Sequence, residues 1–176
     1  MQPIFLIGYM GCGKSTLGRA LSKATGWQFI DLDNYIEGRY HKTVNEIFAE
    51  KGEEGFRTLE KNMLHEVALF ENVIIACGGG TPCFYDNMEF MNAHGTTVFL
   101  NADIEKLHTR LMRGRHKRPL IANKSDEELR EFILAALDKR MKFYSMAKAV
   151  FTSDLLDTRS QIDDTVKLFL QQFEIS

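Results

Sequence analysis

The sequence predicts a three-layer α/β/α fold on a five-stranded parallel sheet, with a lid over its cleft. Three observations predict it. Short apolar runs alternate with longer segments of helical periodicity, the apolar runs are continuous rather than alternating, and a glycine-rich loop joins the first run to the first helical segment. With 176 residues and 20.2 kDa, the chain suits one domain spanning residues 1–176. The 44% apolar and 26% charged fractions are those of a globular protein, and three prolines and thirteen glycines argue against a disordered or fibrous chain. Twenty-two basic and twenty-four acidic residues leave a formal charge of -2, so no overall cationic field draws the molecule to nucleic acid or anionic lipid. Cys12, Cys77 and Cys83 form an odd set without metal-ligand spacing, which suits a reducing compartment. The first residues carry no basic leader, and the expected location is the cytoplasm.

The expected strands are Ile4–Ile7, Trp27–Ile30, Val73–Cys77, Thr97–Leu100 and Ala147–Phe151. Between them the spacing predicts helices over Lys14–Thr25, Asp33–Tyr40, Val44–Lys51, Glu54–Phe70, Tyr85–His94, Ile104–Met112, Asp126–Phe143 and Ser160–Phe173. Two starts are marked by capping boxes, Thr43 with Glu46 and Ser125 with Glu128, where hydroxyl and carboxylate satisfy amides that the first turn leaves unpaired.

The strongest chemical signal is Gly8-Tyr-Met-Gly11-Cys12-Gly13-Lys14-Ser15-Thr16, a G-x-x-x-x-G-K-[ST] loop between a predicted strand and a predicted helix. Glycines let successive amides turn inward around phosphate oxygens. Lys14 can reach the β- and γ-phosphates, and Ser15 offers a hydroxyl to Mg2+. ATP is therefore the expected ligand. Cys12 reads as a small loop residue rather than a redox switch.

Asp31 and Asp33 end the second strand, where open parallel sheets bind ligands, and alternation along an extended chain would turn both to one side. One could support the metal and the other orient an acceptor hydroxyl; a cap on the next helix is the competing reading for Asp33. The third strand ends in Gly78-Gly79-Gly80 with no acid, which leaves Asp31 as the metal support. Arg57 lies between Glu53 and Glu60 at helical spacing, by default an exposed ion-pair ladder. Arg110 to Lys124 holds six basic residues and no acid, as a loop closing over phosphates would. The five histidines show no ligand spacing, so no zinc is expected.

Taken together, these residues resemble the shikimate kinases over Ile4 to about Phe151. The resemblance rests on the phosphate loop, Asp31-x-Asp33, the G-E-x-x-F-R run reaching Arg57, Gly78–Gly80, Arg118-Pro119-Leu120, and Lys139-Arg140 followed by Tyr144. It implies that Gly11, Cys12, Gly13, Lys14, Ser15 and Thr16 hold ATP, and that Ser15 and Asp31 hold Mg2+. It also implies that Asp33 faces the shikimate hydroxyl that is phosphorylated, and that Arg57, Arg140 and the Gly79 backbone hold the rest of that substrate. Arg118 is implied to come from the lid to the phosphates, with Lys14 and Asp33 as its catalytic partners. The implied product is shikimate 3-phosphate, on the route to chorismate and the aromatic amino acids. The expected lid is about 112–125 and the substrate-binding helices about 33–62. The expected molecule is a monomer acting on shikimate and ATP, with no nucleic acid or membrane partner. This chain departs from the pattern in lacking a proline between Arg140 and Tyr144. Its lid is also one residue shorter than in some relatives, which leaves Arg113 open as an adenine contact, and Arg159 lies beyond the part of the chain that the resemblance aligns and is not assigned. A gluconate-type kinase and a nucleotide-binding module without turnover are the alternatives.

Overall fold

The structure, a computed structural model, describes residues 1–175. Strands β1 (Ile4–Ile7), β2 (Gln28–Asp31), β3 (Val73–Ala76), β4 (Thr96–Asn101) and β5 (Ala149–Thr152) form one parallel sheet in the order β2-β3-β1-β4-β5. Helices α1 (Lys14–Thr25), α2 (Leu32–Tyr40), α3 (Val44–Val67), α4 (Asn87–His94), α5 (Ile104–Arg113), α6 (Asp126–Tyr144) and α7 (Arg159–Gln172) cover it. Every residue of β1 and β3 is buried, because both are interior strands with neighbours on each edge, whereas the edge strands β2 and β5 are partly exposed. This is why the interior strands read as unbroken apolar runs. The chain leaves β1 for β2 and β3 on one side and reaches β4 and β5 on the other. Such a reversal opens a crevice at the carboxyl ends of the strands.

Both expected capping boxes are formed, with the Thr43 hydroxyl accepting from the Glu46 amide and the Ser125 hydroxyl from the Glu128 amide. A third, Thr158 with Gln161, starts α7 one residue before the expected position. Several boundaries differ from expectation. The segments expected as separate helices, Val44–Lys51 and Glu54–Phe70, are indeed two helical stretches within Val44–Val67, joined by a kink at Gly52, whose φ of 68° and ψ of -178° would strain another residue; the second ends at Val67 rather than Phe70. Helix α4 begins at Asn87 rather than Tyr85, because a short 3-10 turn at Thr81–Cys83 and a left-handed Tyr85 (φ 50°) intervene. Strand β2 runs one residue further than expected, to Asp31, and α2 follows at once from Leu32, one residue before the expected start.

Candidate active site

The crevice is built first from the loop between β1 and α1. Gly13 caps α1 at φ 100°, and a β-carbon there would lie 2.3 Å from Leu156 Cδ1, so both conformation and space demand glycine. The Lys14 ammonium donates to the carbonyls of Gly8 (2.7 Å) and Tyr9 (3.1 Å) and lines the cleft. Cys12 is buried with its side chain toward the core, and its amide donates to Tyr9 O at 3.2 Å. Of its groups none lines the cleft, which Gly11, Gly13, Ser15 and Thr16 do.

The second contribution comes from β2. Ser15 Oγ donates to Asp31 Oδ2 at 2.8 Å, and the other Asp31 oxygen accepts from the Asn34 amide at 3.3 Å, capping α2. The cap is thus Asp31 and not Asp33, which lies in the first helical turn. The two carboxylates reach the same cavity, but through a strand end and a first turn rather than strand alternation. Asp31 pairs in register with Ala76 of β3. A carboxylate from the neighbouring strand therefore stands beside the place where β3 itself offers none. Two adjacent hard oxygens are a donor set that fits Mg2+, which commonly takes few protein ligands and completes its shell with phosphate and water. Among the described residues no cluster of three or more His, Cys, Asp or Glu could hold a metal alone.

The cleft has two lobes. One, of about 520 Å³, is lined by the phosphate loop, Asp31, Arg110, Leu156 and Asp157. The other, of about 620 Å³, is lined by Val44, Phe48, Phe56, Arg57, Glu60 and Leu120 among others, and is the more apolar. Met10, Asp33, Gly78, Gly79 and Arg118 line both. Asp33 therefore stands where the lobes meet. Its carboxyl is pushed up to about 6, first by burial, then by the neighbouring charges of Glu60 and Asp31, with Lys14 opposing. A group so placed can accept a proton near neutral pH.

The apolar lobe carries a guanidinium. Arg57 lies over the Phe84 ring (4.0 Å to its centre) with Phe56 and Phe48 further off, and its Nη1 donates to Glu60 Oε1 at 2.8 Å. The expected exposed ladder holds only for Glu53, 63% exposed and 3.7 Å away; the Glu60 side chain is 1% exposed. The second Glu60 oxygen accepts from Thr81 Oγ1 at 2.7 Å, so the buried carboxylate is satisfied on both sides. A methyl on Gly80 would lie 2.7 Å from Arg57 Nη2, and one on Gly79 would lie 3.0 Å from Arg140 Nη1. Each arginine thus packs against one glycine of the turn. Arg140 lines neither lobe directly but stands behind Gly79, over the Tyr9 ring.

The segment expected as a lid passes through a 3-10 turn at Arg115–Lys117 and is anchored by the fully buried Ile121. Arg118 donates to Gly114 O at 3.2 Å and reaches both lobes. Arg113 lines a separate surface hollow and Arg159 lines neither lobe; Arg110, unassigned from sequence, lines the lobe of the phosphate loop. Its guanidinium pairs with Asp157 and donates to the carbonyls of Gly11, Ser153 and Asp154. Glu60, Leu156 and Asp157 were also unassigned, and only the helical spacing of Glu60 from Arg57 hinted at any of them.

Residues 10–171 match the family described as shikimate kinase. The chain is 56% identical to a shikimate kinase of Parabacteroides distasonis over 164 residues, 93% of this chain and 95% of that one. Its structure is similar to that of shikimate kinase from Bacteroides thetaiotaomicron, with 54% identity, 98% of each chain covered and a TM-score of 0.95. It is also similar to shikimate kinase from Acinetobacter baumannii in complex with shikimate, with 30% identity, 99% and 94% covered and a TM-score of 0.82.

Proposed function

The chain belongs to the shikimate kinase family and phosphorylates shikimate with ATP, and we propose that it does so across the junction of the two lobes, with Asp33 facing the reacting hydroxyl. The observation that carries this division of roles is that Asp33, Gly78, Gly79 and Arg118 line both cavities at once. In this reading ATP lies in the lobe of the phosphate loop, with Lys14 and the amides of the loop on its phosphates. Shikimate lies in the apolar lobe, its carboxylate met by the planar forks of Arg57 and Arg140, its ring against Gly79. Product is shikimate 3-phosphate, on the route to chorismate and the aromatic amino acids.

Transfer is in line. Asp33 orients the hydroxyl and takes its proton as the oxygen bonds to the γ-phosphorus and the bond to the β-phosphate oxygen breaks. Lys14 and Arg118 offset the charge that develops on the transferred group. Ser15 and Asp31 would hold Mg2+, which would supply positive charge to offset that of the phosphates. Closure of the segment 112–125 brings Arg118 inward and excludes water, without which ATP would be lost to hydrolysis.

All these groups come from one chain, which supports action as a monomer. Buried Cys12 and Cys77 and half-buried Cys83, all free, suit a reducing cytoplasm. No helix among the described residues is long and apolar enough to cross a membrane. The test is steady-state ADP release with shikimate, gluconate or no acceptor. Release that depends on shikimate is expected. Equal release with all three, or a preference for gluconate, would overturn the assignment.

A further inference from the structure

We propose that Tyr144 is a positioning residue for the acceptor carboxylate, its buried hydroxyl holding the Gly79 carbonyl and with it the glycine turn against which the Arg140 guanidinium packs. The inference rests on the reading above in which Arg140 and Gly79 face shikimate. Tyr144 ends α6, one helical turn beyond Arg140, and is fully buried. Its ring stacks on Phe99 of the interior strand β4, with centres 5.1 Å apart, so the phenol is anchored to the sheet rather than to a loop.

The Tyr144 O–H donates to Gly79 O at 2.7 Å, and the positive charge of the Arg140 guanidinium lies near enough to oppose the rise in the phenol's pKa. The direction has no alternative, because a carbonyl only accepts. Burial pushes the phenol above its usual range, so it keeps the proton that the bond needs. Arg140 has two further fixed neighbours, the Tyr9 ring at 5.4 Å and Gly79, where a methyl would lie 3.0 Å from Nη1. The Tyr144 hydrogen bond thus fixes the turn that Arg140 packs against.

Tyr144→Phe keeps the ring and its stacking and removes only this link. The expected result is a shikimate KM raised about tenfold, the scale of one lost hydrogen bond in a polar network, with kcat and the ATP KM nearly unchanged. In an Arg140→Ala background the same change should add little, because the two act as one unit. A second variant, Phe99→Leu, removes the ring that seats the phenol and should raise the shikimate KM in the same direction, and keeps the test open should Y144F not fold. A lowered Tm with unaltered shikimate KM in Y144F, while R140A raises that KM, would overturn the positioning role. An unaltered KM in R140A itself would instead overturn the carboxylate reading on which the proposal rests.

Discussion

Asp33→Asn should make the protein more stable while nearly abolishing its turnover. The carboxyl of Asp33 is displaced from 3.8 to about 6 by burial and by the negative charges of Glu60 and Asp31. That is about two pK units, or roughly 3 kcal/mol of unfavourable ionisation in the folded state at neutral pH. The sign follows from linkage. Between about pH 4 and 6 the native protein holds a proton that the unfolded chain has released, so wild-type stability falls as pH rises through this window and is flat above it. Asparagine has nearly the same shape and no charge to bury. Measured by thermal unfolding without nucleotide or metal, the variant should match wild type near pH 4 and exceed it above pH 6. The gain is roughly 6–10 °C for a chain of this size. Phosphoryl transfer should fall by about two to four orders of magnitude. A Tm difference that did not change with pH, or a variant that kept near-normal turnover, would refute the account of this carboxylate.

Three further outcomes follow from the same geometry. Arg57→Ala removes the charged partner of buried Glu60, so stability should fall by about 3 kcal/mol and shikimate KM should rise. The double variant R57A/E60Q should regain the Tm but not the KM, and recovery of both would show that Arg57 acts only through Glu60. Ser15→Ala or Asp31→Asn should raise the Mg2+ concentration needed for half-maximal rate by tenfold or more, and an unchanged requirement would move the metal elsewhere. Amides of residues 112–125 should exchange more slowly when shikimate and a non-hydrolysable ATP analogue are both present; equal protection with and without ligands would contradict lid closure.

Much of the fold was legible because its signals are local. The five apolar runs, the capping boxes at Thr43 and Ser125, and the phosphate loop each declare themselves within a few residues. Missed features depend on contacts far apart in the chain. Arg57 looked like a surface ladder because the aromatic side chains that bury it include Phe84, 27 positions away by residue number. Arg110 gave no sign of its place because its partners, Gly11 and the segment Ser153–Asp157, lie 99 and more than 40 residues away. That Asp31 rather than Asp33 caps α2 turned on one residue of strand length, which periodicity does not resolve. The meeting of two lobes at Asp33 needs the sheet order itself, since β3 enters between β1 and β2.

The account stands or falls most directly on a crystal structure of the protein with shikimate and a non-hydrolysable ATP analogue. It predicts the ring carboxylate between Arg57 and Arg140, and the 3-hydroxyl within hydrogen-bonding distance of Asp33 on the side of the γ-phosphate. A carboxylate bound away from both arginines, or a hydroxyl turned away from Asp33, would contradict it.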